Sequence, residues 1–212
     1  MPRDAAATRD ALITAGRALL AKRAGLSTPV KQIVEAAGQR NVSALHYHFG
    51  GRRGLVDAIL AIHGDRIEAT RAEMLEPFGP ACEHASLAEL VDALVAPQAV
   101  LLHEPEGRQF LSIISQMIDL FDRWDASTEA TGPHAMRVFH AIETRLPDML
   151  TADVRHERIT RLLELVTGAL GARARNIDGK RPVPLPHDQF VANLTAMAIG
   201  ALSAPPTSRA SA

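Results

Sequence analysis

Apolar residues recur along most of this chain at intervals of three and four, the period of an amphipathic helix. Between Thr8 and Ala24 the apolar face is Leu12, Ala15, Leu19 and Leu20, and Gly25 is expected to stop the helix. Thr28-Pro29 predicts a restart, with Thr28 as the cap and Pro29 in the first helical position. Val30, Ile33, Val34 and Ala37 then form the apolar face of a short second helix, ended by Gly38. A third short helix is expected over Val42–Tyr47, capped by Asn41 or Ser43, before Phe49-Gly50-Gly51 breaks the chain again. From Arg52 to Leu75 the pattern predicts one long helix through Leu55, Ile59, Ile62, Ile67 and Met74, closed by Pro77, Gly79 and Pro80.

The remainder keeps the helical period. Ser86 opens a helix through Leu87, Leu90, Val91, Leu94 and Val95, which Pro97 is expected to interrupt. Further helices are expected over Gly107–Trp124, Pro133–Leu146, Asp153–Asn176 and His187–Ser203, with a Pro- and Gly-rich loop over 178–186. The tail 205–212 is expected to be disordered. No repeat and no strand is legible. The fold class expected is all-α, with a three-helix unit in residues 1–60 and a larger helical bundle in 61–204.

Composition agrees with this. Hydrophobic residues are 47% of the 212, enough for a sizeable core, while aromatics are only 4%, which favours helices over sheets. Cys82 is the single cysteine, which excludes an internal disulfide and a zinc site of several thiolates. No apolar stretch follows Met1-Pro2-Arg3-Asp4, so no secretory leader is expected. No apolar run reaches the length of a membrane span, and a cytoplasmic location is the expectation.

Charge changes the picture. The formal net charge is only -1, but residues 1–60 carry nine Lys/Arg against four Asp/Glu, and residues 61–212 carry fourteen against twenty. A basic small unit on an acidic larger one suits nucleic-acid binding by the first part, although chance drift on a solvated surface gives the same asymmetry.

Three short helices, the second and third joined by a turn at Gly38, form the pattern of a helix-turn-helix. Ile33 and Val34 can face Leu19 and Leu20. The third helix must offer small or polar side chains to a major groove, and Asn41, Ser43, Ala44 and His46 meet that need, while Leu45 and Tyr47 can point back or sideways.

Here the residues become specific. Thr28-Pro-Val-Lys-Gln-Ile-Val-Glu-Ala-Ala-Gly38 resembles the second helix of TetR-family regulators. Leu45-His-Tyr-His-Phe-Gly-Gly-Arg-Arg-Gly-Leu55 resembles that family's end of the recognition helix and start of the fourth. The turn is one residue longer than the commonest pattern, and Tyr47 stands one position nearer Phe49. Both departures resemble a subgroup with Arg-Asn-x-Ser-Ala and Tyr-His-Phe-Gly, here Arg40–Ala44 and Tyr47–Gly50. The resemblance covers residues 8–60. It implies phosphate contacts from Tyr47, from Arg52 in the place of a commoner lysine, and from Thr28. It also implies a reading segment among Arg40, Asn41, Val42, Ser43, Ala44 and His46. Arg40 and Asn41 could instead satisfy the turn's backbone, His48 could fix a helix end, and Phe49 reads as core.

The resemblance further implies a homodimer paired through residues 153–203 on palindromic double-stranded DNA. Its usual function is repression relieved by a small effector, with no cofactor. Phe110, Met117, Phe121, Trp124 and Phe139 could line an apolar effector pocket, or simply pack in the core. No catalytic motif occurs in residues 80–212, so no enzyme is expected. His103 with Glu104 and Glu106, or His84 with Glu83, read as solvated helix ends rather than metal ligands. The rival classes are an architectural DNA-binding protein without an effector, betrayed by sequence-independent affinity, and an all-helical enzyme, betrayed by turnover.

Overall fold

The computed structural model describes residues 2–117 and 132–205, which contain nine α-helices and no strand. An N-terminal head is built from α1 (Pro2–Leu20), α2 (Val30–Ala36), α3 (Ser43–Phe49) and the first part of α4 (Arg52–Leu75). The body holds the rest of α4 with α5 (Leu87–Ala99), α6 (Pro105–Met117), α7 (Pro133–Glu143), α8 (Ala152–Asp178) and α9 (His187–Ser203).

Two apolar clusters carry the packing. In the head, Leu12, Leu20, Ile33, Val34, Leu45, Leu55 and Ile59 are buried together, and Ile113 of α6 joins them. The body cluster includes Leu90, Leu94, Phe110, Phe139, Ile142, Leu162, Leu170 and Leu194. Each such side chain, fully buried, stabilises the fold by about 1.5–3 kcal/mol relative to its exposed state. α4 enters both clusters, through Leu55 and Ile59 at one end and Ile67 and Leu75 at the other. It is the continuous rod between the two parts.

The boundaries of α4 are those expected from the pattern. Ser86 caps α5 in a full capping box: its Oγ accepts from Glu89 N at 3.2 Å, and Glu89 Oε2 accepts from Ser86 N at 2.7 Å. Those bonds from Ser86, backbone first, hold the Glu89 carboxyl below its ordinary range.

Three expectations about helix limits are corrected. Pro97 does not interrupt α5, which runs through it to Ala99. A proline inside a helix orphans the carbonyl four residues back, here that of Ala93. Buried Arg71 of α4 supplies the missing donor, with Nε 2.9 Å from Ala93 O. Its guanidinium also pairs with Glu68, whose Oε2 accepts from His134 N at 2.7 Å at the start of α7. Second, α1 begins before Thr8 and ends at Leu20. Ala24 takes a left-handed conformation with φ 58°, followed by a short 3-10 turn, Gly25–Ser27. Third, Thr28 does not cap α2: the cap position is Pro29, and no side chain bonds there.

Arginines also strap the connections between helices. Arg137 of α7 reaches Pro80 O at 2.9 Å and Gly79 O at 3.0 Å, and Arg145 reaches Ala85 O at 2.8 Å and also Cys82 O. Arg173 of α8 lies 4.4 Å over the Phe190 ring and donates to Leu185 O at 2.8 Å, fixing the loop into α9. Among the described residues, no helix is long and apolar enough to cross a membrane.

Candidate nucleic-acid interface

α2 and α3 are short, seven residues each, and neither would hold alone in water. Each is held by its inner residues. Ile33 and Val34 of α2 and Leu45 of α3 are buried against Leu12 and Leu20 of α1 and Leu55 of α4. Gly38 turns the chain between them with φ 70°, and a Cβ placed there would touch nothing within 4 Å. Glycine is therefore favoured there for its left-handed backbone and not for any close approach. The close approach lies elsewhere: a Cβ on Gly54 would stand 1.9 Å from Phe49 O, so only glycine lets α4 pass the end of α3.

The cap position of α3 is Val42, with no side-chain bond there, so neither Asn41 nor Ser43 is the cap expected; Asn41 Oδ1 instead accepts from Ser43 N at 2.9 Å and closes the turn before the helix. The helix spans Ser43–Phe49, two residues beyond the expected end, and Val42 precedes it. With Leu45 turned inward, Arg40, Asn41, Ser43, His46 and Tyr47 are exposed, and Val42 and Ala44 are half-buried. Tyr47 is 82% exposed, an unusual position for an aromatic ring in a chain with so few. Its neighbour His48 is half-buried between the Tyr47 and Phe49 rings, with centroids 5.0 and 6.1 Å away. Phe49 packs on the head cluster, with the Arg9 guanidinium 5.4 Å over its ring.

Arg52, at the start of α4, is half-buried and already engaged. Nη2 donates to Leu26 O at 2.5 Å and Nη1 to Thr28 O. The guanidinium thus ties the turn before α2 to α4, and Thr28 contributes its backbone carbonyl. Sequence reasoning passed over the next residue. Arg53 is 93% exposed, with only Asp57 at 3.9 Å. Successive helical residues differ by about 100° in direction, so of two adjacent arginines opening a helix one can face the fold and one the solvent. Lys31 of α2 is also exposed, 3.8 Å from Glu35. Such surface pairs hold their cations weakly, by about 0–1 kcal/mol, so both remain available to an anionic surface.

The residues suggested for an effector pocket divide. Phe110 and Phe139 are buried in the body cluster, whereas Met117 packs on the head cluster. Phe121 and Trp124 lie outside the described residues. Two surface grooves among the described residues, one between α1 and α4 and one between α5 and α9, are lined by other side chains. His103, weighed as a metal ligand, lies against His187 with ring centroids 4.2 Å apart.

One titratable group stands at the meeting of head and body. His63 of α4 is 5% exposed, its ring 5.4 Å from that of Phe110, and its Nε2 has no hydrogen-bond partner. Burial, and then the nearby Arg17 cation, push its pKa down.

No protein-family model and no curated protein matches the chain. Solved structures do share its fold. A crystal structure of a protein assigned to the TetR family of transcriptional regulators, from Rhodococcus sp., superposes with a TM-score of 0.55 at 19% identity, over 92% of this chain and 98% of that one. The shared fold is all-α, a helix-turn-helix head on a larger helical body.

Proposed function

We propose that this chain is a TetR-like transcriptional regulator. It binds palindromic double-stranded DNA as a homodimer, represses there, and is released by a small apolar effector taken up in the body. The observation that carries the reading is the exposed Tyr47 on an otherwise inward-anchored α3, beside exposed Arg40, Asn41, Ser43 and His46. An aromatic ring 82% exposed, with only the edge of the His48 ring described beside it, contributes little to the fold. At a duplex, its hydroxyl can donate to a phosphate and its ring can lie along the groove wall. The motif resemblance over residues 8–60 and the fold shared with a TetR-family regulator support the same reading.

In this reading two copies of α3 enter successive major grooves, about 34–36 Å apart. Tyr47, Thr28 and the free N–H groups of Arg52 set the register on phosphates. Residues 40–44 and His46 read base edges. The copies pair through α8 and α9. Gly168 and Ala172 on α8, and Ala196, Met197 and Gly200 on α9, form outward stripes at helical spacing. Small side chains let helices of two protomers approach closely. An effector acts only through its different affinity for the DNA-competent and released arrangements. α4, shared by both apolar clusters, links the two.

Selection of duplexes from a random pool by the full chain, followed by footprinting and salt titration, tests the proposal. The expected outcome is a palindromic site with a steep salt dependence, each neutralised phosphate contributing a slope of about 0.9 in log affinity against log salt. Failure to enrich any duplex above non-specific level overturns it.

A further inference from the structure

Among the polar side chains that join head and body, Gln116 is the one that bonds to the head's backbone, at the end of α1. α1 ends at Leu20, and the following residues fold back so tightly that Gly25 N lies 2.8 Å from Lys22 O. A helix end leaves carbonyls without intrahelical partners. A Cβ on Gly25 would stand 2.2 Å from Leu20 O, so the head has no room for a capping side chain of its own at this residue. Gln116 of α6 fills the need from the body. Its Nε2 donates to Leu20 O at 3.0 Å and its Oε1 accepts from Gly25 N at 3.0 Å. A further bond from Nε2 to Ser112 O, 2.9 Å, fixes the carboxamide on its own helix.

The rest of this face of α6 is also turned to the head. Ile113 is wholly buried in the head cluster, and Gln109 accepts from Arg17 Nε at 2.9 Å. Residues 109, 113 and 116 recur at spacings of four and three, one stripe of the helix. The segment leading into α2 is therefore gripped twice: at Leu20 and Gly25 by Gln116 of α6, and at Leu26 and Thr28 by Arg52 of α4.

We infer that Gln116 is a positioning residue of the head, helping to fix the angle at which α2 and α3 sit on the body and hence the separation of the two recognition helices in the dimer. The inference rests on the DNA reading above. A rotation of α6 against α4 moves one grip relative to the other, and the segment between them must follow. The apolar seat of Ile113 resists separation but little resists rotation, because apolar burial is non-directional. The two bonds of a carboxamide are directional and weaken steeply as they bend. Gln116, with Gln109 bonded to Arg17 on the same stripe, thus converts the orientation of α6 into that of the head, and it alone does so through the backbone leading into α2.

The test uses the full chain and duplexes that differ only in the number of base pairs between half-sites. The unmodified protein is expected to prefer one spacing. Q116M keeps the length of the side chain and removes both bonds. It is expected to lose roughly two- to thirty-fold of that discrimination, with faster amide exchange at Gly25. A residue serving stability alone would weaken all spacings equally and leave their ratio unchanged. Q116E retains an acceptor for Gly25 N but sets a carboxylate against Leu20 O. Compared with the unmodified chain at each pH, it is expected to lose discrimination at pH 8 and regain part of it at pH 5, where a carboxyl O–H can donate. If Q116M folds poorly, Q116E carries the comparison. Unchanged spacing preference in these variants overturns this inference alone. Failure of the unmodified chain to select any duplex overturns the DNA reading, and this inference with it.

Discussion

Arg52→Ala separates two roles that sequence and geometry give to one side chain. The motif resemblance casts Arg52 as a phosphate contact, while the structure spends two of its N–H groups on Leu26 O and Thr28 O. A hydrogen bond from a charged donor contributes about 1.5–3 kcal/mol when well buried, and water competes at this half-buried site, so the pair together is assigned about 2 kcal/mol. For a chain of this size that corresponds to a fall in melting temperature of roughly 4–8 °C. The control is Arg53→Ala. That side chain is 93% exposed, and its distant pairing with Asp57 contributes about 0–1 kcal/mol. All three proteins are compared by calorimetry at one protomer concentration, because the stability of the proposed dimer would depend on it. Arg52→Ala is expected to melt lower and to exchange the amides of residues 25–28 faster, with Arg53→Ala unchanged. If Arg52→Ala melted with the unmodified protein, and only the salt dependence of DNA binding fell, the backbone tie would contribute nothing and the reasoning would be refuted.

Three further outcomes are expected. Tyr47→Phe removes a hydroxyl from a ring standing in solvent, so the melting temperature should hold while affinity for every duplex drops about two- to ten-fold, the share of one hydrogen bond; a fluorescence titration that shows no change would remove Tyr47 from the interface. Gly200→Arg should raise protomer helicity, since a Cβ there meets nothing within 4 Å, yet block close approach of paired helices. Light scattering should then report a monomer, and an intact dimer would displace the interface from α9. The third concerns pH. The pKa of His63 is lowered in the fold, so the folded chain binds fewer protons than the unfolded chain once pH falls below about 6.5. Stability is therefore full above that range and declines as pH drops through it. Arg17 from α1 and Arg66 from α4 strengthen the decline, while Glu104, just before α6, and Glu106, in its first turn, oppose it. His63→Leu should flatten the dependence between pH 7.5 and 5 in melting curves, and an unaltered slope would assign it to other groups.

Local rules decided much of the fold, and long-range partners decided where they failed. The limits of α4 follow from Gly50-Gly51 on one side and Pro77 on the other, and the capping box of Ser86 and Glu89 lies within four residues. Pro97 breaks the local rule because its orphaned carbonyl meets a donor from Arg71, twenty-two residues from Ala93 in the chain. α1 ends at Leu20, earlier than its pattern suggests, and the side chain that meets the carbonyl there, Gln116, lies ninety-six residues away. The third helix was legible from its polar outer positions and from Leu45. The division of work between Arg52 and Arg53 was not, because only the packed turn at Leu26 and Thr28 decides which arginine turns inward. Met117 shows the same limit. Its helical period marks it as apolar, but only the seating of α6 assigns it to the head.

Cys82 has a practical consequence. It is the chain's only thiol and wholly buried, in a left-handed conformation with φ 56°. The loop around it is strapped by Arg137 and Arg145. A thiol reagent therefore has one address, and it can reach it only when those straps let go. The rate of alkylation is thus a built-in clock for local opening between α4 and α5. It can be read without attaching a probe and without altering a residue. A molecule that binds and tightens the body slows that clock, and one that loosens it speeds the clock, so a simple chemical labelling series can rank candidate ligands of the body without DNA.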